Sequence, residues 1–73
     1  MSDLNQHFPL VVRQLRKDRG WSQEHLAEKA DLNRSYVGEI ERGDAIPSLL
    51  TAEKLAQALE INLSTLVAQC EQA

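Results

Sequence analysis

The sequence predicts an all-α fold, a compact bundle of five helices, on three observations. Apolar residues recur at i, i+3, i+4 and i+7 spacing in five separate stretches, and no segment alternates apolar and polar residues like a strand. Capping or helix-breaking residues stand between the stretches. Only Phe8, Trp21 and Tyr36 are aromatic, so the core has to be aliphatic, and 73 residues lie near the lower limit for a self-sufficient one. A partner subunit is then a reasonable source of extra buried surface.

Phe8, Val11, Val12 and Leu15 define the first helix. Pro9 lacks an N–H and belongs in a first turn, which places the start of the helix between Asn5 and His7. Gly20 ends it, as the residue that most easily takes left-handed dihedrals, and Trp21 is expected in the core at that corner. Ser22 is the N-cap of helix two, whose inward residues are Leu26, Ala27 and Ala30. Asn33 is the next N-cap. Helix three buries Val37 and Ile40, leaves Tyr36 partly exposed and closes at Arg42-Gly43. Pro47-Ser48 opens helix four, with Leu49, Ala52, Leu55, Ala56 and Leu59 on one face. Asn62 caps a last helix, about 62–71, that carries Leu63, Leu66, Val67 and Cys70.

Composition removes several function classes. There is no run of about 18 apolar residues to cross a membrane and no basic-then-apolar secretory leader. One cysteine, Cys70, cannot form an internal disulfide, which fits a reducing, cytoplasmic setting. His7 and His25 stand apart from any cluster at ligand spacing, so neither a metal nor another cofactor is expected. Ser, His and acidic residues are present, but none sits in a Gly-rich elbow, and no catalytic role is assigned. The net charge of −3 opposes nucleic-acid binding in sum but not in distribution. Residues 1–42 hold seven basic and seven acidic side chains, and the whole deficit falls in residues 43–73.

The link between helices two and three spans three or four residues at most. So short a connection makes the axes cross steeply, as in a helix-turn-helix. Ala27 and Ala30 are small enough for the close approach this requires. Asp31 stands where the turn needs left-handed dihedrals, which it accepts less readily than Gly. Leu32, Val37 and Ile40 then hold helix three against the first two helices and leave Arg34, Ser35, Gly38 and Glu39 outward. Arg donates two hydrogen bonds to guanine, Ser pairs with several base edges, and Glu accepts from the cytosine amino group. Gly38 costs about 1 kcal/mol mid-helix, tolerable where backbone closely approaches DNA. Gln23, in the first turn of helix two, is placed for a phosphate, and Arg42 and Ser48 for the other edge of the backbone; Asn33 and Tyr36 are expected to contact the DNA backbone as well. The alternative reading of Arg34 and Glu39, five apart on the helix, is a solvated ion pair. Glu41, adjacent to the groove side, needs a neutralising partner, and Arg16 is the candidate.

These residues carry a resemblance. Gln23-x-x-Leu26-Ala27-x-x-Ala30, Tyr36-Val37-x-x-Ile40-Glu41-Arg42-Gly43, Pro47-Ser48 and Ala56-Gln57-Ala58-Leu59 resemble the phage-repressor and Cro type of helix-turn-helix domain, the XRE-like family, over residues 8–67. The resemblance implies the lambda-repressor-like fold. It also implies that Gln23 holds phosphate, that Arg34, Ser35 and Glu39 read bases, and that Arg16 pairs with Glu41. Asp31 replaces a usual turn Gly, Trp21 a usual Leu, and Glu53 falls where an aliphatic residue is often buried. The segment Asn33–Gly43 and the small size are similar to the controller proteins of restriction–modification systems, which implies a transcriptional regulator dimeric on a pseudo-palindromic double-stranded DNA operator. Phage-type repressors and antitoxins, the latter working through a protein partner, share most of the same residues and stay open.

One recognition helix contacts few base pairs, whereas a two-fold pair doubles the contacts at half-sites about 34 Å apart. Leu63, Leu66, Val67 and Cys70 with Leu50 are therefore expected to form a homodimer seam, unless they only complete the core of one chain. No small-molecule effector is evident. The whole chain, 1–73, reads as a single DNA-binding domain with a C-terminal dimerisation helix.

Overall fold

A computed structural model describes residues 3–72. It contains five helices and, among the described residues, no strand: α1 Leu4–Asp18, α2 Gln23–Ala30, α3 Arg34–Arg42, α4 Leu49–Ala58 and α5 Leu63–Gln72. None is long and apolar enough to cross a membrane.

The ends of the helices follow local chemistry. Ser22 Oγ accepts from the His25 N–H at 3.0 Å, and Asn33 Oδ1 accepts from the Ser35 N–H at 2.8 Å. Each satisfies an N–H that the first helical turn leaves without a partner. Asp31 closes α2 with φ 56° and ψ 47°, the left-handed conformation expected of it, and Gly43 closes α3 with φ 79°. Ser48 caps α4 by accepting from the Thr51 N–H at 3.1 Å. The Leu66 N–H donates to the Asn62 carbonyl as α5 begins.

Three expectations need correction. α1 starts at Leu4, before the expected window, because Asp3 caps it by accepting from the Gln6 N–H. Pro9 therefore lies in the second turn. Its ring is buried, so apolar packing compensates for the one backbone bond it cannot donate. Leu49, expected on the buried face of α4, is 74% exposed, because the inward stripe begins a turn later at Ala52. Trp21 is half-buried rather than a core residue. It leans on the core, its ring 4.7 Å from that of His25 and beneath the Lys29 ammonium. Glu53 is exposed, so its departure from the family pattern disturbs no packing.

The core is one cluster. Val12, Leu26, Val37, Ile40, Leu55, Leu59 and Leu66 are fully buried, and Phe8, Val11, Leu15 and Leu32 close it from the sides. α5 packs chiefly on α1, and α2 is held between α3 and α4. His7 Nδ1 donates to the Cys70 carbonyl at 3.0 Å, fastening the last turn of α5 to the first helix. This arrangement overturns part of the expected seam. Leu66 is 0% and Cys70 1% exposed inside a single chain, so neither has surface to offer a second one.

Candidate DNA-reading surface

α3 lies on the outside of the bundle with Val37 and Ile40 turned fully inward. Its opposite face therefore points to solvent, and Arg34, Ser35 and Glu39 are exposed there. With Gln23, Gly38 and Arg42 they line a shallow groove of about 270 Å³ that runs from the first turn of α2 to the end of α3. Six of the residues singled out from sequence thus share one surface. Arg34 and Glu39 do not appear as an ion pair among the described residues, where the exposed pair is Arg42 with Asp44 at 3.1 Å.

Gly38 needs reinterpretation. It was expected on the outward face, but it is buried. A Cβ placed on it would lie 3.0 Å from Arg42 Nη1 and 3.6 Å from Gln23 Oε1. The missing side chain makes room for these two polar groups, which together cover the backbone. Gly38 is therefore the floor of the groove, and Arg42 and Gln23 are its walls.

Beneath the groove lies a buried ionic network. Arg16 Nε donates to Glu41 Oε2 at 2.8 Å and Nη2 to Oε1 at 2.9 Å, a bidentate pair. Arg16 Nη1 donates to the Trp21 carbonyl at 2.8 Å, and Gln23 Nε2 to Glu41 Oε1 at 3.1 Å. The hydrogen bonds that Arg16 donates to Glu41 raise its pKa above the ordinary value, burial opposing them. One cation thus joins α1, the entry to α2 and the end of α3. The Gln23–Glu41 bond was missed in the sequence. It also orients the amide, because a carboxylate only accepts and so must face Nε2.

The remaining candidates lie around the rim. Asn33 holds the first turn of α3, and Tyr36 is half-buried against the core. Ser48, expected to clamp DNA backbone, donates its hydroxyl hydrogen to Thr51 Oγ1 at 3.0 Å, so its donor is already committed to α4. Leu50 is 64% exposed, and Leu63 and Val67 are half-buried beside an apolar groove of about 420 Å³ that Leu4, Ile46 and Leu49 also line. Ile46, 72% exposed, was not foreseen, since it lies in a loop without a periodic signal.

Two short helices, α2 and α3, joined by a three-residue link and bearing an outward polar face define the class, and the family model described as Helix-turn-helix matches residues 12–66. The chain belongs to this helix-turn-helix family. It is similar to the control protein C.MunI of Mycoplasma sp., at 38% identity over 72 residues and 97% coverage of both chains. It is also similar to the solved restriction–modification controller protein C.AhdI from Aeromonas hydrophila, at 47% identity and a TM-score of 0.79, covering 82% of this chain and 91% of that one. The immunity repressor of Bacillus phage phi105 is 47% identical over 58 residues, which make up 80% of this chain. The chain spans 40% of that repressor's length and 41% of that of the Escherichia coli transcriptional regulator SutR.

Proposed function

We propose that the protein is a sequence-specific double-stranded DNA-binding transcriptional regulator that acts as a homodimer on a pseudo-palindromic operator, as a restriction–modification controller. The observation that carries this reading is the outward face of α3. Arg34, Ser35 and Glu39 stand exposed on a helix whose other face is locked by Val37 and Ile40. Arg34 donates to a guanine edge, Glu39 accepts from a cytosine amino group, and Ser35 serves either base edge. Gln23, Arg42 and the cap at Asn33 set the register along the phosphates without reading sequence.

The single domain acts by binding rather than by catalysis, in the cytoplasm with the DNA it reads. Its fifth helix lies beside the surface that meets a second copy. Five large apolar side chains, Leu4, Leu10, Ile46, Leu49 and Leu50, are 41–74% exposed. Leu4, Ile46 and Leu49 line the apolar groove, and a second copy seated there doubles the base contacts. Control then comes through protein concentration and dimerisation, with no small-molecule effector.

Arg34→Ala tests the base-reading face. Operator affinity is expected to fall by about 1–3 kcal/mol with discrimination relaxed at one base pair, whereas Gln23→Ala weakens all duplexes alike. Unchanged selectivity in Arg34→Ala overturns the assignment.

A further inference from the structure

The chain has eight Lys and Arg residues on a net charge of −3, so where each cation is committed decides what can meet a polyanion. Arg16 is committed to Glu41 and to the Trp21 carbonyl. Arg19 donates to the carbonyls of Leu15 and Leu59. Lys29 lies 5.2 Å from the Trp21 ring centroid and shares a groove with Lys54 between α2 and α4. Arg34 and Arg42 belong to the groove on α3.

Arg13 and Lys17 of α1 have no such commitment among the described residues. They are one turn apart on the same side of the helix, both exposed, and they line one groove of about 240 Å³ with Arg42 and Gln23. Glu41 also lines it, but Arg16 neutralises that carboxylate. Arg42 and Gln23 line the α3 groove as well, so the two surfaces are continuous around the start of α2. Arg42 is paired with Asp44, so Arg13 and Lys17 are the cations that extend the α3 groove along this edge.

We infer that Arg13 and Lys17 form a second phosphate-contacting strip, holding the sugar–phosphate backbone of the strand that flanks the groove entered by α3. The inference rests on the DNA-binding proposal and extends it to α1. The strip positions the protein on the duplex and carries no sequence information, since ammonium and guanidinium groups on phosphate oxygens do not distinguish bases. Each contact releases condensed counterions, so binding through the strip must weaken with salt.

Fluorescence anisotropy with a labelled duplex of mixed sequence, and with the best duplex selected from a randomised pool, tests this across about 50 to 200 mM salt. Arg13→Gln and Lys17→Gln should each lower the slope of log affinity against log salt by about 1, with the preference for the selected duplex unchanged. Lys54→Gln, on the other side of the bundle, should leave both quantities as in the wild type. If the two α1 variants keep the wild-type slope while the wild type prefers the selected duplex, the strip does not exist. If the wild type binds all duplexes alike but the variants still lower the slope, the strip stands and the base-reading proposal falls. Absence of binding to any duplex overturns both.

Discussion

Arg16 and Glu41 meet across 25 residues of chain in a bidentate pair whose side chains are only 11% and 2% exposed. Neither charge has enough water to stand alone. Removing one partner leaves the other buried and uncompensated, so Arg16→Ala and Glu41→Ala should each destabilise the fold by about 3–5 kcal/mol. The double variant should lose less than the sum of the two, because the stranded charge is gone. Urea unfolding of the three variants measures this, and simple additivity would remove the pair as the joint between α1 and α3.

Gly38→Ala separates stability from binding. The added methyl presses on Arg42 Nη1, the far end of a side chain that is 60% exposed and free to swing aside. The helix should therefore gain about 0.5–1 kcal/mol, the ordinary advantage of Ala over Gly in a helix interior. Duplex affinity should drop nonetheless, because Arg42 loses its seat over the backbone. A variant that is less stable than the wild type would show that Arg42 cannot move.

Local chemistry was the most legible part of the sequence. Ser22 and Asn33 are short polar residues before apolar periodic runs, and each became the N-cap it looked like. Asp31 took left-handed dihedrals because a two-helix link that short permits nothing else at its corner. Glu60 also has a left-handed φ, 62°, and no local pattern marks a glutamate for that conformation. Periodicity gave each helix an apolar face without saying what covers it. Leu66 and Cys70 therefore looked like seam residues until the packing of α5 on α1 enclosed them. Gly38 escaped for a similar reason, since its burial depends on where the long Arg42 side chain lies.

The surface proposed for a second copy carries its own prediction. Leu49 and Ile46 are 74% and 72% exposed, so Leu49→Glu and Ile46→Glu should cost a lone chain little. Each removes about 1.5–3 kcal/mol of apolar burial from a dimer that uses them, raising its dissociation constant at least about tenfold. Leu66→Ala, by contrast, opens the core and should destabilise the fold itself by about 2–5 kcal/mol. Sedimentation at micromolar concentration distinguishes these effects. A wild type that is monomeric there, or glutamate variants that associate like it, would dismiss the seam.

Cys70 links burial to alkaline stability. The thiol is 1% exposed, and burial raises its pKa above the ordinary value of 9.0 by penalising the thiolate. The folded state therefore keeps a proton that the unfolded chain releases as pH passes about 9. Where the unfolded state binds fewer protons, stability falls with rising pH. This contribution is complete below the unfolded pKa and lost as pH climbs from there through the higher, folded one. Thermal unfolding between about pH 8 and 10 should thus show a steeper decline in the wild type than in Cys70→Ala, whose methyl cannot ionise. The alanine variant is less stable at every pH because of the lost packing, so the slope rather than the midpoint is diagnostic. Equal slopes would mean that the thiol ionises as freely in the folded protein as in the unfolded chain.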